Sequence, residues 1–319
     1  MKNERALIEQ ILGRPAGQAD GLQQQGVLLG PGDDAGVLFR GEGDLVVSTD
    51  LSVEGVHFRL DWISPAEAGR RAVAAALSDL AAMGARPRAI LLSLADHDAD
   101  RLVAAGAAAR AFAESLGIPV LGGDISRGSA LTIDVVVIGE SARPLTRSGA
   151  TPGQEVWVTG ALGAPALALS QWLAGIEPDP GARTRFTSPE PRMAEMLWLS
   201  EQAGVTAAID LSDGLLVDAG RMAQACELGL ALDRSAIPVH ASVSAAASAD
   251  QRASLPLLGG EEYEVLFTVE AMDQVIQEAF RATFSVPLTR IGRTVAGSGV
   301  TVDGISVDPA GFDHFGRPE

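Results

Sequence analysis

Acidic side chains recur along this sequence in short clusters with glycine and hydroxyl residues. The clusters are GDD at 32–34, STD at 48–50, GGD at 122–124, DLSDG at 210–214 and GGEE at 259–262. Aspartate and glycine are common turn formers, so each cluster taken alone is better explained as a turn beside a strand end. Two carboxylates about 4 Å apart repel by roughly 4 kcal/mol at an effective dielectric constant near 20, so converging clusters would need bound cations. Carboxylate and hydroxyl oxygens suit Mg²⁺ or Mn²⁺, and convergence would therefore create such a site.

Asp79 is a carboxylate in an apolar segment, AAALSDLAAM at 74–83. It falls near the C-terminal end of a predicted helix, where the helix dipole disfavours a negative charge. A buried carboxylate must be paired, protonated or bound to a metal. We interpret Asp79 as a metal ligand, with a structural hydrogen bond as the alternative.

Phosphate binding in this protein cannot depend on lysine, because Lys2 is the only lysine in the sequence. The body of the chain therefore lacks a Walker A lysine, a protein-kinase lysine and a pyridoxal Schiff-base lysine. Arg147, in LTRSG after a predicted strand, could bind a phosphate with two hydrogen bonds, and a solvated linker arginine is the alternative. Backbone N–H groups at the glycine pairs 122–123 and 259–260 could also bind phosphate oxygens.

Histidine, aromatic and cysteine residues give weaker indications. His57, in EGVHF, could orient a substrate or be structural, and four histidines without paired spacing do not predict a zinc site. Phe312 and His314 in the tail could stack on an aromatic ligand or pack a closing segment. Cys226 is the single cysteine, which excludes an intramolecular disulfide and a multi-cysteine metal site and is typical of a reducing cytosol.

Alternating strands and helices must position these residues. Ser64, Pro65 and Glu67 form a capping-box pattern that predicts a helix over 64–83. The hydrophobic patterns predict further helices over 98–116, 191–203, 214–228, 243–252 and 272–280, and strands over 45–50, 89–94, 131–139, 155–159, 207–209, 263–269 and 289–295, with another strand near 230. Turn residues at 146–153 indicate a domain boundary, and 176–191 is predicted to be an exposed loop.

Length and charge exclude several classes of protein. At about 150 residues per domain, 319 residues predict two domains. A net charge of −17 would repel nucleic acid, so no nucleic-acid partner is expected. No apolar run approaches the roughly 20 residues needed to cross a bilayer, and the charged N-terminus does not look like a signal peptide. We therefore expect a cytoplasmic protein without membrane attachment.

Eight segments together resemble the thiamine-monophosphate kinases, a family of the AIR-synthetase-like (PurM-like) superfamily. They are GPGDDAGVL at 30–38, STDLSVEGVHF at 48–58, LSDLAAMGARP at 77–87, LGGDISRG at 121–128, LTRSGATPG at 145–153, IDLSDGL at 209–215, LGGEEYEVLFTV at 258–269 and GFDHF at 311–315. Their joint order along the chain makes the resemblance specific, although each segment alone is a weak signal.

The resemblance implies an α/β fold with two PurM-like domains. Residues 1–150 would form an N-terminal ATP- and Mg²⁺-binding domain that dimerises through its sheet, and residues 151–319 a C-terminal αβ domain that closes over the substrates. The implied reaction transfers the γ-phosphoryl group of ATP to thiamine monophosphate, giving thiamine diphosphate and ADP. In-line transfer of this kind needs positioning and charge neutralisation more than covalent catalysis.

The resemblance also implies roles for individual residues. Several Mg²⁺ ions would be bound by Asp34, Ser48, Thr49, Asp50, Asp79, Asp124, Asp210 and Asp213. ATP would contact Gly123, Asp124, Arg147 and Ser212. Thiamine monophosphate would contact His57, Glu261 and Phe312. Asp50, Asp124 and Arg147 would be the catalytic residues.

The sequence departs from the family pattern beside these residues. Ile125 stands where threonine is frequent, Glu262 where aspartate is common, and Leu51-Ser52 replaces Thr-Leu or Met-Leu. Two other functions remain open: another PurM-like ATP-dependent enzyme, or a non-catalytic acidic cation-binding protein. Nucleotide binding separates the second of these from an enzyme.

Overall fold

The computed structural model describes residues 4–13, 26–29, 37–39 and 41–307. Asp34, Phe312 and His314 lie outside the described residues. The chain divides into two compact units. The N-terminal unit comprises Met1–Leu80 and Ala85–Pro144, and the C-terminal unit comprises Ala81–Gly84 and Leu145–Glu319.

The N-terminal unit combines a sheet with helices. Its elements are α1 (Glu4–Leu12), β1 (Val27–Leu29), β2 (Val37–Leu38), β3 (Asp44–Val53), α2 (Pro65–Ala82), β4 (Arg86–Ala95), α3 (Ala99–Ser115), β5 (Val120–Ser126) and β6 (Thr132–Ser141). The described strands form one sheet in the order β3-β6-β4-β5 and a separate β1-β2 pair. β4 and β5 are parallel, whereas β6 is antiparallel to both of its neighbours.

The two faces of this sheet have different surroundings. On one face, Ile133, Val135 and Val137 of β6 are fully buried, and the side chain of Leu80 from α2 lies over Gly139. On the other face of β3, Leu45, Val47 and Leu51 are 70%, 56% and 52% exposed. The strand alternates between these environments because successive side chains point to opposite faces.

Helix α2 begins as its capping residues predict. The hydroxyl of Ser64 accepts a 3.2 Å hydrogen bond from the backbone N–H of Glu67, and the Glu67 carboxylate accepts one of 2.8 Å from the Ser64 N–H. This reciprocal pairing satisfies two N–H groups that a helix start leaves unbonded.

The C-terminal unit is built on a larger mixed sheet. Its elements are β7 (Glu155–Thr159), α4 (Ala164–Leu173), α5 (Pro180–Thr187), α6 (Met193–Gln202), β8 (Ala207–Asp210), α7 (Leu215–Cys226), β9 (Gly229–Leu232), a 3₁₀ turn (Arg234–Ala236), α8 (Ala241–Ala246), α9 (Ala249–Leu258), β10 (Val265–Val269), α10 (Gln274–Thr283), β11 (Leu288–Val295), β12 (Gly299–Val302) and β13 (Ile305–Val307). In the described part of the unit, the strand order is β13-β12-β9-β11-β7-β10-β8.

Apolar clusters cover both faces of this sheet. One contains Val156 and Ile209 from the strands with Leu216 and Met222 from α7. The other contains Trp157, Val265 and Phe267 with Met196 and Leu199 from α6 and Phe280 from α10. Every residue of β10 is buried, because neighbouring strands and both clusters surround it.

Several predicted elements differ from the structure. The segment 176–191 contains α5, whose Phe186 is 3% exposed, so the prediction of an exposed loop is wrong there. The single helix predicted over 243–252 is two helices, because Ser248 starts α9 with its own capping box to Gln251. β5, β12 and β13 were not among the predicted strands.

None of the helices among the described residues is long and apolar enough to cross a bilayer.

Candidate functional site

Strand β3 and helix α2 bring two of the predicted metal ligands together. The hydroxyl of Ser48 donates a 2.6 Å hydrogen bond to Oδ2 of Asp79. Asp50 lies two residues further along β3, on the same face of the sheet, and is half-buried. Asp79 therefore makes the hydrogen bond that was the alternative interpretation, and its role as a metal ligand stays a prediction.

Thr49 belongs to the opposite face of β3. Its hydroxyl donates a 2.7 Å hydrogen bond to Oδ1 of Asp134 in β6. The expectation that the 48–50 cluster lies beside a strand end is wrong, because β3 runs through it to Val53 and pairs with β6 along its whole length. The alternation of an extended strand thus separates the side chain of Thr49 from those of Ser48 and Asp50.

Asp124 also lies within a strand, and not in a turn as predicted. In β5 it is paired with Ser93 of β4, which is paired on its other side with Asp134. Gly123 has φ +154°, and a Cβ at this position would be 1.9 Å from the carbonyl oxygen of Leu92. Glycine is therefore required for the close approach of β5 to β4 immediately before the exposed Asp124 carboxylate.

Asp134 is a residue that the sequence reasoning missed. It is an aspartate inside a β-branched strand, TIDVVVIG, and this polar residue in an apolar run was the available signal. Its register places it in the row of β-sheet residues that contains Ser93 and Asp124. It accepts the hydrogen bond from Thr49, so it orients one of the predicted ligands.

His57 lies in the turn that follows β3. Its Nδ1 accepts a 3.1 Å hydrogen bond from the backbone N–H of Val53. This bond fixes the ring orientation and makes Nε2 the nitrogen that carries the hydrogen in the neutral ring. His57 can therefore present a directed N–H donor to a ligand.

In the C-terminal unit, the DLSDG and GGEE segments pair through their backbones. β8 ends at Asp210, and the chain continues beside the residues that precede β10. The N–H of Tyr263 donates to the carbonyl of Leu211 at 2.9 Å, and the N–H of Glu261 donates to the carbonyl of Ser212 at 2.7 Å. The predicted ATP contact Ser212 and the predicted substrate contact Glu261 are therefore directly joined.

The side chain of Glu261 is oriented by a tyrosine two residues later. The Tyr263 hydroxyl donates a 2.5 Å hydrogen bond to Oε2 of Glu261. Both residues have left-handed backbone conformations, with φ of 67° for Glu261 and 52° for Tyr263. Such conformations are uncommon for residues other than glycine and recur at functional sites.

Asp213 interacts with an arginine from the following helix. Arg221 contacts Oδ2 of Asp213 and donates a 2.7 Å hydrogen bond to Oδ1 of Asp218. Burial raises the pKa of Asp218 to about 6, although Arg221 acts to lower it. The DLSDG segment therefore carries a carboxylate that is paired with a cation of the same unit.

Arg147 lies on an exposed segment beside β8. The N–H of Ala208 donates a 2.9 Å hydrogen bond to the carbonyl of Thr146, and the thiol of Cys226 donates one of 3.1 Å to the carbonyl of Arg147. The backbone is fixed by these two bonds, and the guanidinium extends from an exposed residue. This arrangement suits an arginine that binds a phosphate from solution.

Glu262 and Glu264 are buried carboxyl groups that closely follow Glu261, the predicted contact of thiamine monophosphate. Burial raises the pKa of Glu262 to about 8, and its Oε1 accepts a hydrogen bond from the N–H of Gly163. Burial also disfavours ionisation of Glu264, but Arg192 and Arg185 reverse this effect and lower its pKa. Neither carboxyl was predicted as a functional group, since local sequence does not reveal burial.

The described residues do not contain three or more His, Cys, Asp or Glu side chains grouped so that they could hold a metal ion. Some of the predicted ligands have partners within the protein, since Ser48 donates to Asp79 and Arg221 contacts Asp213. The donors are oxygens throughout, which is the chemistry that Mg²⁺ prefers.

Comparisons with known proteins identify the family. The family model described as AIR synthase related protein, N-terminal domain, matches residues 32–141, and that of the C-terminal domain matches residues 151–305. The thiamine-monophosphate kinase of Escherichia coli K12 is 35% identical over 311 residues, which cover 92% of this chain and 93% of that protein.

Solved structures agree with these matches. The crystal structure of thiamine-monophosphate kinase from Stenotrophomonas maltophilia K279a has a TM-score of 0.85 and 34% identity, covering 95% of this chain and 98% of that one. The structure of AaThiL complexed with AMPPCP and TMP has a TM-score of 0.76 and 29% identity, covering 89% of this chain and 91% of that one. These matches confirm the predicted two-domain PurM-like α/β fold. The chain belongs to the thiamine-monophosphate kinase family.

Proposed function

We propose that this protein transfers the γ-phosphoryl group of ATP to the phosphate of thiamine monophosphate, forming thiamine diphosphate and ADP. Its relatives across almost the whole chain are named for this activity, and AaThiL binds AMPPCP together with TMP. The structural observation that carries the proposal is the 2.7 Å backbone hydrogen bond between Glu261 and Ser212. It joins the residue assigned to thiamine monophosphate to the residue assigned to ATP.

Oxygen ligands from each unit are available for Mg²⁺. In the N-terminal unit these are Asp34, Ser48, Thr49, Asp50, Asp79 and Asp124, and in the C-terminal unit they are Asp210 and Asp213. The 2.6 Å hydrogen bond between Ser48 and Asp79 supports this assignment, because it holds a hydroxyl oxygen and a carboxylate oxygen next to each other. Bound Mg²⁺ would neutralise phosphate charge and polarise the phosphoryl group.

The protein's own groups contribute positioning and donors. Arg147 is assigned to the phosphates of ATP, where its planar guanidinium can stabilise the charge of the transferring group. The N–H of Gly123 is assigned to the nucleotide, beside the Asp124 carboxylate. The acceptor phosphate is already an anionic nucleophile, so direct in-line transfer requires no general base and no phosphoenzyme.

Thiamine monophosphate is assigned to His57 and Glu261, with Phe312 as an aromatic neighbour. His57 presents Nε2–H because its Nδ1 accepts a hydrogen bond from Val53. Glu261 presents a carboxylate oriented by the Tyr263 hydroxyl, which suits the cationic thiazolium and the amino group of thiamine. Phe312 would supply a ring for stacking.

The protein is also proposed to form a homodimer through the N-terminal sheet. The support is the exposed apolar row Leu45, Val47 and Leu51 on β3. A row of large apolar side chains on one sheet face is typical of a protein–protein interface.

The deciding experiment measures ADP and thiamine diphosphate formed from ATP and thiamine monophosphate, with Mg²⁺ present and with Mg²⁺ chelated. We expect equimolar products that require the metal. Binding of ATP without thiamine diphosphate formation would indicate another PurM-like enzyme with a different acceptor. Binding of Mg²⁺ without ATP binding would indicate a non-catalytic cation-binding protein.

A further inference from the structure

Asp218 is a fully buried carboxylate that has no role in the reaction proposed above. It lies in the first turn of α7 with 0% of its surface exposed. A charged or polar group in such a place must be compensated by specific partners, because burial removes its hydration. The identity of those partners indicates what the residue does.

One oxygen of Asp218 binds the backbone of the DLSDG segment. Oδ2 accepts hydrogen bonds of 3.0 Å from the N–H of Asp213 and 3.1 Å from the N–H of Gly214. Gly214 has φ +116°, and a Cβ there would be 2.8 Å from the carbonyl oxygen of Leu258. The chain therefore turns sharply at a glycine that has no side chain to stabilise the turn, and Asp218 supplies the missing acceptor.

The other oxygen of Asp218 acts through an arginine. Nη1 of Arg221 is 2.7 Å from Oδ1 of Asp218 and also contacts Oδ2 of Asp213. One guanidinium nitrogen thus bridges the two carboxylates, which would otherwise repel each other. Asp218 therefore determines the backbone position of Asp213 directly and the carboxylate position of Asp213 through Arg221.

We propose that Asp218 and Arg221 are positioning residues for the binding of Mg²⁺ and nucleotide. They fix the carboxylate of Asp213 and the adjacent Ser212 before the ligand arrives, so that binding does not have to order this turn. The inference rests on the proposed function, in which Asp213 binds Mg²⁺ and Ser212 contacts ATP. A purely structural role for Asp218 would instead stabilise α7 without affecting nucleotide affinity.

The test measures binding of AMPPCP with Mg²⁺ by isothermal titration calorimetry, together with amide hydrogen exchange at positions 213 and 214. The variants are Asp218→Ala, Asp218→Asn and Arg221→Gln. A matched control is Asp233→Ala, which also removes a carboxylate that caps a turn: Oδ1 of Asp233 accepts a 2.9 Å hydrogen bond from the N–H of Ser235. Circular dichroism and urea unfolding confirm that each variant is folded.

The variants should distinguish the roles of the two carboxylate oxygens of Asp218. Asp218→Ala should weaken binding about tenfold or more, the range typical of lost support for a ligand, and accelerate exchange at both amides. Asp218→Asn keeps a backbone acceptor but loses the Arg221 ion pair, so its amides should stay protected while binding weakens. Arg221→Gln should give the same pattern, and Asp233→Ala should change neither measurement.

Nucleotide affinity within twofold of the wild type in folded Arg221→Gln and Asp218→Asn would overturn the inference, even if Asp218→Ala failed to fold. The proposed function is judged separately. If the wild type binds AMPPCP with Mg²⁺ but forms no thiamine diphosphate, weakened binding in these variants still supports the positioning role. If the wild type does not bind the nucleotide, both proposals are wrong.

Discussion

The hydroxyl of Ser48 donates a 2.6 Å hydrogen bond to the carboxylate of Asp79, which lies 31 residues later in the chain. The bond joins a strand residue to a residue near the end of α2, and both side chains are half-buried. A carboxylate in this environment can either serve only as the acceptor for Ser48 or also bind a cation. The two alternatives predict different effects on activity when Asp79 is replaced by asparagine.

Asp79→Asn should reduce kcat/KM by roughly 10–100-fold or more, because a neutral amide binds Mg²⁺ poorly while keeping an acceptor for Ser48. Its free energy of unfolding should change by about 1 kcal/mol or less. Activity measured across a Mg²⁺ titration, with urea unfolding alongside, checks both statements. Ser48→Ala is the partner variant. Wild-type Mg²⁺ dependence in Asp79→Asn would mean that Asp79 has a structural role and is not a metal ligand.

Tyr263→Phe should raise the KM for thiamine monophosphate about fivefold, since it removes one hydrogen bond worth about 1 kcal/mol from Glu261. The KM for ATP should stay near the wild-type value. Steady-state kinetics with each substrate varied in turn give the two constants. Glu261→Gln should have a larger effect on the same constant, and an equal rise in both KM values for Tyr263→Phe would argue against a specific role in orienting Glu261.

Glu262→Gln should make the free energy of unfolding less dependent on pH. Burial raises the pKa of Glu262 to about 8, so the folded protein retains a proton that the unfolded chain has already lost. Stability from this residue is therefore fully present below its ordinary pKa and is lost as pH rises to about 8, by up to about 1.4 kcal/mol per pH unit.

Urea unfolding at several pH values from 6.5 to 8 tests this prediction, since the pKa of Asp218, about 6, lies below that range. The wild type should lose stability across it, and Glu262→Gln should lose less. Glu278→Gln, at an exposed residue of α10, is the control and should follow the wild type. Parallel curves for wild type and Glu262→Gln would show that Glu262 is ionised in the folded protein at neutral pH.

Val47→Glu should convert a dimer into a monomer, because it places a charge in the exposed apolar row of β3. Light scattering coupled to size-exclusion chromatography measures the mass directly. Val275→Glu is a matched control, since Val275 is 71% exposed on α10 of the other unit and should leave the mass unchanged. A monomeric wild type at micromolar concentration would contradict dimerisation through this face.

Helices and capped starts could be predicted from sequence because their signals are local. Ser64 and Glu67 form the predicted reciprocal hydrogen bonds at the start of α2. The same signal was present at Ser248 and Gln251, where it starts a new helix inside a segment predicted to be continuous. Local sequence rules therefore predict the start of a helix correctly when the capping-box residues take precedence over the alanine-rich pattern around them.

The positions of the acidic clusters could not be predicted in the same way. Ser48, Thr49 and Asp50 were expected beside a strand end, yet full pairing with β6 extends the strand to Val53. This pairing decides that Thr49 contacts Asp134 while Ser48 contacts Asp79. Strand partners are distant in sequence, so neither contact can be read from local composition.

The exposed loop predicted at 176–191 shows a second limit. Proline, glycine and charge dominate this segment, but its Arg185 binds the buried carboxylate of Glu264 at 2.8 Å, together with Arg192 just beyond the segment at 2.6 Å. Charged residues usually indicate solvent exposure, and here they indicate an internal ion cluster. Only the folded structure shows that the Glu264 carboxylate lies within hydrogen-bonding distance of these arginines.

The short strand β8 is an edge strand of the C-terminal sheet. The segment that precedes Arg147 lies along β8, and the N–H of Ala208 donates a hydrogen bond to the carbonyl of Thr146. A border strand with unpaired backbone groups can recruit strands from other molecules and start aggregation. The same few residues thus carry the arginine that we propose to bind ATP and cover a vulnerable sheet edge. Shortening this segment should make the protein prone to aggregation as well as inactive.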